Sequence, residues 1–276
     1  MSDTELQAIL QRAQGFSQKN TKNINQTADS DPLHELADNT VTKSHALNRA
    51  YYRFSITEKR CMEALISKLH PLRSDNQPDL ELTAAEYARA YSVSQKTAYR
   101  DISTAVDALM HRVVTADRLG GKPGKRQLNI MDSAEYMNDE GKIVCCFTKS
   151  ATPHLIGLRE KFSSYPLRDA VNFSSSYTWR FYEILVSWAQ PKSQTQGRFA
   201  GWIKRQSVDE LREMLGVPES YKWTHFQKQV LDVVIPELRK KAHIVVFIER
   251  VKTSRKITHL NISFIEDDQI EMKLES

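Results

Sequence analysis

Apolar positions recur at helical spacing in two stretches of this chain that lie 124 residues apart and match position for position. Thr83, Glu86, Tyr87, Tyr91, Val93, Ile102, Val106, Leu109, Met110 and Val114 return in type as Ser207, Glu210, Leu211, Leu215, Val217, Phe226, Val230, Val233, Val234 and Leu238. Thr-x-x-Glu and Ser-x-x-Glu before an apolar run read as capping boxes. The hydroxyl takes an orphan N–H of the helix start, and the Glu reaches back to the cap. Each box leads into a short helix, a tight turn at Tyr91-Ser92-Val93 or Leu215-Gly216-Val217, and a longer helix with an apolar stripe. That is helix-turn-helix grammar in duplicate.

The flanking pattern extends both copies. In the first, Thr57 precedes a helix with Cys61, Leu65 and Leu69 on one face. Ser94 caps the longer helix, whose Ala98, Ile102, Val106, Leu109 and Val113 are expected to face inward. Val113-Val114, Gln127–Met131 and Lys142–Thr148 read as strands around a basic loop, Gly120–Arg126. In the second, helices are expected at His154–Glu160, Ser175–Gln190, Val208–Leu215 and Lys222–Lys241. Two strands around Ile244–Ile248 and Ile257–Phe264 then flank a basic turn, Lys252–Lys256. Helices followed by a β-hairpin make a winged helix.

The expected fold is therefore α+β, with two tandem winged-helix domains. A disordered polar segment occupies 1–40, the first winged helix 41–150, the second 151–266, and an acidic tail 267–276. A short helix at Glu5–Gln14 fits the N-terminal segment. Pro236, inside the last long helix, predicts a kink or an end to regular helix there, leaving the residues two turns earlier undisturbed.

Charge sharpens the picture. Six acidic against three basic residues in 1–40, and five against one in 266–276, leave +12 for the body of a chain whose total is +5. A basic body between acidic ends suits a polyanionic partner. No apolar run approaches membrane-spanning length and no secretory signal opens the chain, so a cytoplasmic protein without membrane contact is expected. Cys61, Cys145 and Cys146 lack the spacing of a zinc site and read as reduced thiols.

No catalytic arrangement, cofactor or metal site is expected. Gly120 and Gly124 enclose three residues rather than the four of a phosphate loop, and Arg126 stands where Ser or Thr would hold magnesium. The eight histidines include no His-x-His pair of the kind a nickase needs. The chemistry points instead to double-stranded DNA. On the helix from Lys222, the stripe Phe226, Val230, Val234 and Leu238 faces the core, while Thr224, Gln227 and Lys228 share another face. Gln matches adenine N6 and N7, Lys reaches guanine O6 and N7, and the Thr methyl can touch thymine. Lys222 and Trp223 stand at the helix start, where free N–H groups favour a phosphate. Lys252, Ser254, Arg255 and Lys256 form a basic wing tip. Arg100 is the first copy's counterpart of Thr224. That copy's face is less basic, so it is expected to contact backbone, a partner or a second protomer.

Certain segments also resemble a known family. Leu158-Arg159-Glu160-Lys161-Phe162-Ser163-Ser164-Tyr165-Pro166-Leu167, Ser175-Ser176-Tyr177-Thr178-Trp179-Arg180-Phe181-Tyr182-Glu183-Ile184-Leu185, Phe226-Gln227-Lys228-Gln229-Val230-Leu231 and the hairpin from Ile244 to Phe264 resemble the iteron-binding plasmid replication initiators. The likeness covers about 41–266. Ser254 stands where the family's wing tip usually carries glycine, and Pro236 where a helix-compatible residue is usual. The resemblance implies binding to direct repeats (iterons) at a plasmid origin, origin opening without DNA cutting, and recruitment of host replication proteins, helicase among them. It also implies a monomer–dimer balance in which dimers act at an inverted repeat near the protein's own gene, with dimerisation through the first winged helix and iteron reading through the second. A dimeric winged-helix transcriptional repressor with no part in replication would share the same structural features. An origin nickase is the other competing reading, and would be told by nicked circles.

Overall fold

A computed structural model of the chain describes residues 35–70, 79–117, 124–195 and 197–267. The expectations for most of the N-terminal segment, including the helix at Glu5–Gln14, and for nearly all of the acidic tail lie outside the described residues. Residues 35–40 do not behave as the polar segment was expected to. Leu36 is buried, Leu36–Asp38 form a 3-10 turn, and Asp38 pairs with Arg168 at 3.2 Å.

Strand β1 (Thr40–Ser44) and the short helix α1 (His45–Asn48) open the fold. The first winged helix follows. Helix α2 (Ile56–Ser67) is capped by Ser55, two residues before the expected Thr57, in a full capping box with Glu58. Strand β2 (Leu80–Thr83) ends on the cap of α3 (Ala84–Tyr91), where Thr83 and Glu86 complete both bonds of their box. Ser92 then takes φ +54, and Ser94 caps α4 (Gln95–Met110) as its position predicts. Beyond α4 the three expected strands are, among the described residues, four: β3 (Val113–Asp117), β4 (Lys125–Asn129), β5 (Met131–Met137) and β6 (Lys142–Phe147). The first two form a separate hairpin, and the last two join β2 in a sheet of order β2-β6-β5. Val113, expected inside, is 49% exposed because it starts β3 rather than continuing the helix. Lys125 and Arg126 lie on β4, not in the basic loop.

The second winged helix repeats the plan. Strand β7 (Phe162–Pro166) pairs antiparallel with β1, and α5 (Ser176–Trp188) follows. No helix forms at 154–160. Pro153 opens a single 3-10 turn, and Gly157 at φ +66 lets the chain reverse. Strand β8 (Ala200–Ser207), α6 (Val208–Met214), a helical run over 223–242 and the hairpin β9 (Ile244–Thr253) and β10 (Lys256–Glu266) complete it. Its sheet has order β8-β10-β9, the same arrangement as β2-β6-β5. Here the capping box is half made. Ser207 accepts from the Glu210 N–H, while the Glu210 carboxylate takes the Gln206 amide instead.

Two buried clusters fix how the elements meet. On α5 every residue from Thr178 to Ser187 is buried, so the helix packs on all sides. Towards α2 and β1, Lys43, Lys59, Glu63, Arg180 and Glu183 form one ionic network with no side chain more than 3% exposed. Lys59 reaches Glu63 at 2.5 Å and Glu183 at 2.7 Å, Lys43 binds both carboxylates, and Arg180 holds Glu183 at 2.9 Å. The hydroxyl of Tyr165 shares its one proton between Glu63 and Glu183, at 3.1 and 3.0 Å, and accepts from Trp179. Burial alone would raise the Glu183 carboxyl, but Lys43, Lys59 and Arg180 hold it far below the usual range. Towards the helical run over 223–242, Glu237 accepts from the Ser174 N–H at 2.7 Å, Thr178 Oγ1 at 2.5 Å and Lys241 at 2.8 Å.

Candidate nucleic-acid interface

The helix expected from Lys222 is three segments in one run. Helix α7 (Trp223–Phe226) passes into a π turn (Gln227–Leu231) and then α8 (Asp232–Ala242). Pro236 sits inside α8 without ending it. The irregularity instead falls two turns earlier, on Gln227 and Lys228, which were expected to be undisturbed. Pro has no N–H to give the Asp232 carbonyl, and its ring crowds that group. That carbonyl lies one residue beyond the π turn, whose widened bond runs from the Asp232 N–H to the Gln227 carbonyl.

The core stripe holds. Phe226, Val230, Val234 and Leu238 are all fully buried. On the outer face Thr224 and Lys228 are exposed and Gln227 is half-buried. His225, Gln229 and Asp232, which the sequence reading did not single out, are also exposed. Lys222 is exposed at the N-cap position, with no side-chain capping bond of its own. Trp223 is half-buried. Its ring packs on Phe226 at 5.9 Å and lies under the Arg250 guanidinium at 5.6 Å, so it braces the helix against wing strand β9 rather than facing outward. Tyr99, 124 residues earlier, does the same for α4, donating its hydroxyl to Asn138 in the turn between β5 and β6. An aromatic at matched repeat positions was the available signal for this brace.

At the wing tip Lys252, Ser254, Arg255 and Lys256 are all exposed, and none of these cations forms an ion pair among the described residues. Thr253 and Thr258 close the tip through their hydroxyls at 2.8 Å, and Thr253 pairs with Lys256. Ser254 adopts φ +57, the backbone a glycine would take there. The first winged helix carries the opposite charge. Its wing turn is Asn138-Asp139-Glu140-Gly141, and Lys142 is held by Glu140 at 2.6 Å and Glu81 at 3.1 Å. Arg100 is exposed on α4 and reaches only Asp101, at 3.4 Å. Of the two wings, the second can approach phosphate without repulsion.

The two winged helices meet around Gly216. A Cβ there would lie 2.5 Å from the Tyr52 carbonyl oxygen. Beside this contact, a cleft of about 460 Å³ is lined by Arg53, Arg112 and Arg180 with Ser55, Ser176 and Tyr177. Arg112 is held by Glu58 at 2.8 Å and Arg180 by Glu183, and of the three Arg53 and Arg112 are exposed. Among the described residues, no helix is long and apolar enough to cross a membrane, and no group of three His, Cys, Asp or Glu side chains could hold a metal ion.

Comparison with known families bears directly on this arrangement. The family described as initiator replication protein, WH1, matches residues 40–186, more than half of the chain. The chain belongs to this initiator family. A second family, initiator Rep protein, WH2, matches residues 207–264 of the initiator. The PI protein of Escherichia coli is 30% identical over 166 residues, covering 53% of this initiator and 51% of that protein, so the match spans about half the length of the curated relative. A crystal structure of Pi initiator protein in complex with iteron DNA shares the fold. It aligns with a TM-score of 0.65 at 23% identity, over 84% of this chain and 99% of that one. The first match runs through α5, and the second begins at the Ser207 cap.

Proposed function

We propose that the protein initiates plasmid replication by binding iterons at the origin through its second winged helix, and that it does so without cutting DNA. The observation that carries this reading is the exposed stripe of Thr224 and Lys228 beside a wing tip of exposed cations, on the copy whose wing is basic. Family membership and the likeness of fold to an initiator solved on iteron DNA support it. The finer steps belong to the same proposal. Binding promotes opening of the origin and draws in host replication proteins such as helicase, and the protein works in the cytoplasm. The first winged helix, with its acidic wing, pairs protomers. The dimer then represses the protein's own gene at an inverted repeat.

The test starts from the DNA beside the gene. Tandem repeats there should be protected by the purified protein in a footprint, and should bind about 10³-fold or more tighter than scrambled DNA at physiological salt. Equal affinity for repeats and scrambled DNA would remove the reading. Accumulation of nicked circles from a supercoiled origin would replace it with a nuclease.

A further inference from the structure

On the reading just given, the side chains offered to the groove are set by the π turn. Phe226, Val230, Val234 and Leu238 keep a strict spacing of four and are all buried. A regular α-helix advances about 100° per residue, so twelve residues at that spacing would carry the stripe about 120° around the axis. A π turn takes one additional residue and absorbs most of that drift.

The first winged helix supplies the comparison within the same chain. On α4 the buried Ile102 and Leu109 are seven residues apart, whereas their counterparts Phe226 and Val234 are eight apart. The added residue therefore falls in the π turn. By plain count Leu109 corresponds to Val233 and Ala105 to Gln229. Leu109 and Ala105 are buried, yet Val233 is 44% exposed and Gln229 is exposed. The insertion turns Gln229 out of the position that faces the core in the first copy. Gln227, on the other flank, is half-buried beside the core, as its counterpart Ser103 is.

We propose that Gln229, with Thr224 and Lys228, is a specificity-determining residue of this helix, presented by the π turn, and that Gln227 is not. Its amide offers the donor and acceptor pair that matches adenine N6 and N7.

The intact chain is assayed by fluorescence anisotropy against its tandem repeat and against every single base-pair variant of one repeat. Thermal unfolding confirms that each variant is folded. Gln229→Ala is expected to lose roughly 5- to 150-fold in affinity for the intact repeat and to flatten preference at one A·T pair. Gln227→Ala should leave the ranking of the variants as in the wild type. Flattening by Gln227→Ala, or a Gln229→Ala protein with unchanged ranking, would overturn the assignment while leaving iteron binding intact. A wild type that binds repeats no better than scrambled DNA would instead overturn the underlying function, and Gln229's role with it.

Discussion

Glu63 and Glu183 occupy the same position in two copies of one helix, and the ammonium of Lys59 holds them both, at 2.5 and 2.7 Å. The copies are α2 and α5. Their caps are Ser55 and Ser175, and near their ends Ser67 and Ser187 donate to the carbonyls three residues back, at 2.7 and 2.8 Å. The repeat thus includes the first helix of each winged helix, and the two first helices are joined by charge. Replacing Lys59 with Met would leave two buried carboxylates short of a partner. The expected cost is about 3–5 kcal/mol, read by urea denaturation. Loss should appear as one transition, because the network spans both winged helices.

Acid should weaken the fold. Burial favours a raised Glu237 carboxyl, but Lys241, Thr178 and Ser174 bring it down from 4.5 to about 2. A group whose folded value is depressed contributes stability in full above its unfolded value, and that contribution is lost as pH falls through the folded one. Denaturation midpoints should therefore drop as pH falls from about 4.5 toward 2, with Glu183 acting in the same direction. Glu237→Gln should cost about 1–3 kcal/mol at neutral pH and show a shallower fall across that window. An unchanged slope would show that Glu237 is not the group responsible.

The two helix-turn-helix turns should respond differently to the same change. Gly216 has φ +67, with the Tyr52 carbonyl where a Cβ would go, whereas Ser92, its counterpart, already carries a side chain at φ +54. Gly216→Ala is expected to cost about 2–3 kcal/mol through backbone strain and overlap at the junction. Ser92→Gly should change stability by less than about 1 kcal/mol, as relief of strain and added chain entropy offset. Differential scanning calorimetry would rank the pair.

At the wing, Arg255→Ala should weaken binding to all DNA sequences alike and reduce the slope of log affinity against log salt by about 1. Ser254→Gly should leave binding intact, since glycine suits the observed φ. A salt titration at matched protein concentrations checks both. Lys228→Ala differs in kind: a loss of about 1–3 kcal/mol confined to particular bases is expected.

Much of this was legible in the sequence. Caps Thr83, Ser94 and Ser207, both helix-turn-helix units and the second hairpin follow from local signals, which is where single-sequence patterns carry information. The pairing of β1 with β7 was not, because five-residue strands 122 residues apart leave no periodic trace. The burial of Lys43 and Lys59 was equally hidden, since each looks like an ordinary surface lysine until Glu63 and Glu183 are brought to it. The ten-position repeat is true through Phe226 and slips by one beyond it. Val114 lies on a strand, and Leu238 on a helix. The cause was visible as the strict four-residue spacing from Phe226 to Leu238, which regular α geometry cannot keep in phase.

Helix α5 belongs to neither half alone. It meets Lys43 and Lys59 on one side through Glu183, and Glu237 on the other through Thr178. Severing the chain on either side of it would strand ionised side chains in an apolar interior without their counterions. Fragments made to assign tasks to each half would then be reporting on a torn seam, and point substitutions in the full-length protein are the sounder route to dividing the labour.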